Sequence, residues 1–185
     1  MTEQEVINRI AGGDIEAFGA LYDLYLDRIY RFVYYRTHHR ETAEDLTSVV
    51  FTKAFHKFTS FDRKANFATW IFRIARNTVI DHYRTRKTTS DLEQAFDISD
   101  STNLSRDYEL KEKLELAQKY LTQLPEDQRD LVIMRLWDGL SYDEIAEITG
   151  KTSANLRVNF SRIMSKMQKE MVLSLILFAG LTKIL

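Results

Sequence analysis

The chain has no cysteine. That excludes disulfide staples, thiolate zinc sites and cysteine nucleophiles, and it agrees with a reducing cytoplasm, the compartment expected here. A single proline, Pro125, and six glycines leave little to punctuate 185 residues. Sandwiches and barrels need many more turn residues, so long helices joined by short turns are expected. The apolar run Met171 to Leu181 falls well short of the roughly 20 residues a membrane-spanning helix requires. The start, Met1-Thr2-Glu3-Gln4-Glu5, is polar and acidic, unlike a secretion signal. Glycine-rich phosphate loops are missing, and His38, His39, His56 and His82 lack metal-ligand spacing with carboxylates. An enzyme is therefore not expected, nor a cofactor, a metal or a small-molecule substrate.

What is present is the profile of a soluble globular protein, 44% hydrophobic and 29% charged. The formal net charge is only -1, but it is unevenly spread. Arg63 to Lys87 carries +6, Thr88 to Leu124 carries -4, Pro125 to Gly150 carries -5 and Lys151 to Glu170 carries +4. Two separated basic segments in an acidic chain are the footprint of two nucleic-acid contacts. Solvated helix faces are the bland alternative for either segment alone.

Hydrophobic spacing predicts helix over residues 4–38, broken at Gly12-Gly13-Asp14, then over Arg40–Phe58 and Phe67–Arg86, with a polar loop at Thr59–Asn66. Thr88–Asp107 has no sustained periodicity and reads as a flexible acidic linker. A second domain is expected from Tyr108, with a helical stripe of Leu110, Leu114, Ala117 and Leu121. Pro125 opens the next helix, which runs through Leu131, Met134 and Trp137 to a stop at Asp138-Gly139. The fold class is thus all-α: two small helical domains, residues 1–87 and 108–170, joined by the linker 88–107. The second is a helix-turn-helix domain, and an apolar extension, 171–185, follows.

The helix-turn-helix rests on Ser141-Tyr142-Asp143-Glu144, a capping box, and on Gly150, suited to the left-handed backbone of a helix exit. In the helix from Ser153, an apolar stripe of Leu156, Phe160, Ile163 and Met167 opposes Ala154, Val158, Ser161, Arg162, Ser165 and Lys169, with Arg157 on one flank. A small, polar and basic outer face suits the major groove. On the Phe67–Arg86 helix, Phe67, Ile71, Ile74, Ala75, Thr78 and Val79 should face the core, with His82 buried or at the boundary. Arg73, Arg76, Asn77, Arg84 and Lys87 gather opposite, flanked by Trp70, Phe72 and Tyr83. Cations hold phosphates and rings stack on unpaired bases, so this surface suits separated strands.

With these features in place, the chain resembles the sigma-70 family of RNA polymerase sigma factors, in its extracytoplasmic-function (group IV) branch. The likeness rests on Gly13–Phe18, Ala43–Thr47 through Phe51–Phe55, Phe67-Ala68-Thr69-Trp70-Ile71-Phe72-Arg73-Ile74-Ala75-Arg76-Asn77, Leu124–Arg129 and Gly139–Ala146, in family order over roughly residues 5–170. The resemblance implies a promoter-specific initiation factor whose partners are core RNA polymerase and promoter DNA, with an anti-sigma factor as a further candidate. It implies polymerase docking through Asp45, Leu46, Ser48, Val49 and Lys53. Recognition of the melted -10 element would fall to Phe61, Arg63, Lys64, Asn66, Trp70, Arg73, Arg76, Asn77, Arg84 and Lys87. Reading of the duplex -35 element would fall to Ser153, Asn155, Arg157, Val158, Ser161, Arg162 and Lys166. The family usually has Gln-Glu where Ser48-Val49 stand, glycine at Ala154 and a basic residue at Asn159. Its members commonly stop near Met167–Met171, so the tail is additional: packing on the second domain is favoured, with docking on the first domain, a membrane or a regulator as rivals. The competing functions are a helix-turn-helix regulator that binds duplex DNA without polymerase, and a helical scaffold for acidic partners.

Overall fold

The computed structural model describes residues 1–87 and 119–181, with side chains for residues 1–85 and 119–169. The expected linker and the stripe Leu110–Ala117 lie outside these residues. Among the described residues there is no strand, and no helix is long and apolar enough to cross a membrane.

The first group of helices is α1 (Glu3–Ala11), α2 (Phe18–Thr37), α3 (Arg40–Lys57) and α4 (Phe67–Lys87). Thr2 and Glu5 close a capping box at the start of α1. The break at Gly12-Gly13-Asp14 is where the sequence puts it, followed by one 3-10 turn, Ile15–Ala17. α2 ends on His38 in the left-handed region (φ 51°). His39 then caps α3 by accepting from the Thr42 amide. The α3 stripe Leu46, Val50 and Ala54 is buried, with Phe51 and with Phe58 of the 3-10 turn that follows, against Leu21, Tyr25, Ile29, Phe32 and Val33 of α2. Phe67, Ile71, Ala75, Thr78 and Val79 of α4 complete this core, with Ile74 and His82 at its edge. Full burial of such side chains is worth about 1.5–3 kcal/mol each.

The second group begins with residues 119–123, which are helical, and continues with α5 (Glu126–Leu136), α6 (Tyr142–Thr149) and α7 (Ser153–Leu181). Pro125 sits one position before α5 as its cap. Leu131, Val132, Ile133 and Met134 are all buried. Four consecutive positions cannot share one helical face, so α5 is covered all round: by its own domain on one side and by the first domain on the other. α2 packs on α5, and α4 packs on α6. Trp137, at the end of the expected helix, is 38% exposed and lies against Tyr35 of α2 at 5.3 Å between ring centres. α7 continues unbroken for 29 residues, so the backbone of the extension is one helix with the segment before it as far as Leu181.

Candidate nucleic-acid interface

The helix-turn-helix forms as the sequence anticipates. The Ser141 hydroxyl accepts from the Glu144 amide at 3.2 Å, and Glu144 accepts from the Ser141 amide at 2.6 Å. Gly150 leaves α6 at φ 73°, a backbone that a Cβ disfavours. Thr152 caps α7 through the Asn155 amide, and the Ser153 hydroxyl is tied to Asp143. Leu156 and Ile163 are buried, with Phe160 and Met167 half-buried beside them. Asn155, Arg157, Val158, Ser161, Arg162 and Lys166 are exposed along the other side, Val158 to 49%. Of the expected groove face, only Ser153 is half-buried. The Arg157 guanidinium lies 5.5 Å from the Tyr142 ring, which steadies it without enclosing it.

α4 is arranged differently. Phe61 is 6% exposed and packs edge-on to Phe67, while Trp70 is half-buried against Phe58, Phe61 and Phe67. Phe61 is therefore part of the core, where its apolar surface is removed from water, and so is Phe72, which is fully buried against Phe32. Tyr83 is half-buried, and its hydroxyl donates to the Arg36 carbonyl. The exposed members are Arg63, Lys64, Asn66, Arg73, Asn77 and Arg84; the side chain of Lys87 lies outside the described residues. Asn66 caps α4 by accepting from the Thr69 amide.

On α3, Asp45, Ser48 and Val49 are exposed together, three neighbours on the outer side of the helix. Leu46 does not join them: at 8% exposure it belongs to the hydrophobic stripe. Lys53 is half-buried, its ammonium donating to the Thr78 hydroxyl of α4 at 3.1 Å.

Much of the α4 basic surface is occupied. Arg76 donates to Asp130 at 3.1 Å and to Asp127 at 2.9 Å. Arg73 donates to the Glu147 carbonyl at 3.0 Å, and the Asn66 amide donates to Glu144 at 2.7 Å. From α2, Arg36 reaches Asp130 at 3.3 Å and Glu126 at 3.1 Å. Arg28 and Arg31 enclose the Asp138 carboxylate at 3.2 and 3.6 Å. Six of the seven acidic residues between Pro125 and Gly150 thus face the first domain. Residue-by-residue reading did not single out Arg28, Arg31 and Arg36. The signal available was the opposition of the +6 and -5 segments.

Burial pushes the Asp130 and Asp138 carboxyls up, against the pull of their arginines. A hydrogen bond from Lys151, aided by Arg76, holds Asp127 below its ordinary value. Burial, then the charges of Arg129 and Arg36, lowers His38 from 6.5 to about 4. Its ring nitrogen lies 3.2 Å from Arg129 on α5.

Comparison with known proteins gives a family for both halves of the chain. The family description "Sigma-70 region 2" matches residues 21–89, and "Sigma-70, region 4" matches residues 114–167. The RNA polymerase sigma factor YlaC of Bacillus subtilis is 32% identical over 163 residues, covering 83% of this chain and 91% of that protein. The ECF RNA polymerase sigma factor BldN of Streptomyces coelicolor is 34% identical over 83% of this chain; the chain spans 60% of that longer relative. Among solved structures, the sigma factor RpoE of Bartonella quintana, in complex with the anti-sigma factor NepR, superposes with a TM-score of 0.68 at 25% identity, covering 82% of this chain and 94% of that one. CnrH in complex with the cytosolic domain of CnrY gives 0.69 at 19% identity, covering 91% and 96%, a likeness of fold. With a two-part helical architecture, a capped helix-turn-helix and full-length relatives of this kind, the chain belongs to the extracytoplasmic-function group of the sigma-70 family, RNA polymerase sigma factors that direct promoter-specific initiation of transcription.

Proposed function

We propose that this sigma factor divides promoter reading between α4 and α7, acting in the cytoplasm where polymerase and DNA are found. α7 enters the major groove of the duplex -35 element with Asn155, Arg157, Val158, Ser161 and Arg162, Lys166 serving the phosphates. The loop residues Arg63, Lys64 and Asn66, with Arg73, Arg76, Asn77 and Arg84 of α4, hold the opened -10 strand, and Trp70 offers the edge of a ring cluster for stacking. Asp45, Ser48 and Val49 form the outward patch of α3 that docks on polymerase. The units are residues 1–87 and 108–170, with 88–107 spanning the polymerase between the two DNA contacts.

The observation that carries this reading is the exposed α7 face. Small residues there permit close approach to base edges, and Arg157 and Arg162 have the reach to donate to them. An anti-sigma partner is included because the Bartonella quintana neighbour is bound to one. The test is reconstitution: the protein is added to core RNA polymerase and genomic DNA, and new transcription starts are mapped. Starts that share upstream elements, and that fade with Arg157→Ala or Arg162→Ala, are expected. If no polymerase complex forms, this reading is wrong.

A further inference from the structure

We propose that Asn155, held in one orientation by Asn159, selects an adenine in the duplex element that α7 reads. This deepens the reading of α7 as the -35 helix and rests on it. The pair is a feature of this chain: where the family usually has a basic residue, an amide stands at Asn159.

Asn155 is the third residue of α7, in the part of a recognition helix that meets base edges. Its backbone is pinned, because the Thr152 hydroxyl accepts from its amide at 3.3 Å. Its side chain is exposed. Asn159 lies one turn further along the same side of the helix. It is half-buried, and its Nδ2 donates to the Asn155 Oδ1 at 2.6 Å. That bond decides which end of the Asn155 amide points where. Turning the Asn155 amide over would set N–H groups against N–H groups. Asn159 is itself kept from turning. It lines a hollow with Arg162 and Lys166, and cations there favour its carbonyl oxygen on their side and its Nδ2 toward Asn155.

With the amide so fixed, one lone pair of the Asn155 Oδ1 and both Nδ2 hydrogens remain for a ligand. An acceptor beside a donor is the complement of one base edge in the major groove. Adenine offers the N6 donor beside the N7 acceptor. Guanine offers two acceptors, thymine an acceptor and a methyl, cytosine a donor. Only adenine satisfies both ends of a carboxamide. Guanine in the same place sets O6 against Oδ1, and the locked amide cannot turn to relieve it. Asn159 does this without touching DNA, as a positioning residue. An amide already tied down also loses less rotamer freedom when the groove encloses it.

The test uses holoenzyme, formed from the full chain and core RNA polymerase, on promoters with the -35 region randomised. Sequencing the transcripts gives the base preference at each position. One position should favour adenine about tenfold, as a good bidentate contact allows. Asn155→Ala should abolish that preference and leave the other positions as they were. Asn159→Leu, which removes the donor without adding charge, should cut it to about threefold at the same position. Circular dichroism verifies the helical content of both variants. On a single promoter, 7-deaza-adenine at that position deletes the N7 acceptor. It should weaken transcription by the parent and leave Asn155→Ala indifferent. Any of three results overturns the proposal: a profile unchanged by Asn155→Ala, a profile unchanged by Asn159→Leu, or a parent indifferent to 7-deaza-adenine. If Arg157→Ala and Arg162→Ala still alter the profile in those cases, α7 remains the -35 reader and only the adenine assignment falls. If no substitution in α7 alters any position, the reading of α7 is wrong and this proposal falls with it.

Discussion

α4 and α7 carry similar cations on similar helices and meet opposite fates. On α7, Arg157 and Arg162 are exposed, with no carboxylate partner described. On α4, Arg76 is enclosed by two aspartates and Arg73 is tied to a backbone carbonyl. The sequence sets them apart by their neighbours, aromatic on α4 and small and polar on α7, but counts both simply as basic. The difference teaches that a basic patch is defined by what faces it: six of the seven carboxylates of the -5 segment face the first domain, and the seventh, Asp143, holds Ser153 at the start of α7 rather than an arginine of its outer face.

The sharpest way to break this comparison is to remove arginines from each helix in turn. In holoenzyme, Arg73→Ala with Arg76→Ala should lower open-complex formation roughly a hundredfold, a loss of about 2.7 kcal/mol, read by permanganate footprinting of the melted region. The same pair should also loosen the free chain, because it leaves Asp130 with Arg36 alone and Asp127 with Lys151 alone, and releases the Glu147 carbonyl. Arg157→Ala should lower duplex promoter binding about tenfold, within the range of about 1–3 kcal/mol for a good base contact, while leaving the melting temperature of the free protein nearly unchanged. If both helices respond alike in the stability measurement, the contrast drawn here is wrong. Next in size, Gly150→Ala should cost about 1–2 kcal/mol, since it forces a Cβ into the left-handed region. Urea denaturation would show it, with duplex binding weakened because the turn aims α7. The smallest effect near neutrality concerns His38. Its pKa is depressed when the domains are together, so its contribution to closure is complete above 6.5 and lost as pH falls toward 4. Protein carrying one dye on each domain should therefore open progressively below pH 6.5, read by energy transfer. His38→Gln should flatten the part of that curve due to the imidazole; an unaltered curve would remove His38 from the account.

Much of the fold was legible because helical periodicity and caps are local. The Gly12-Gly13 break, the Ser141–Glu144 box and the Gly150 exit each depend on a few adjacent residues, and each stands where the sequence puts it. The candidate site was less legible. Phe61 and Leu46 were assigned outward roles by resemblance, but their apolar side chains fill the core that α2, α3 and α4 share. Trp137 stands at the end of a helical pattern yet serves the contact between domains. Asp130 gave no local sign of burial, because two separately folded surfaces must meet to bury it.

One consequence of the uninterrupted α7 lies in mechanics. Arg162 and Leu181 are 19 residues apart on a single helix, a span of about 28 Å. A helix without a break carries torque and tilt along its axis. The far end of the helix is thus a handle on the promoter-reading face: whatever grips it, or leaves it loose, sets how steadily Arg157 and Arg162 are aimed at the groove.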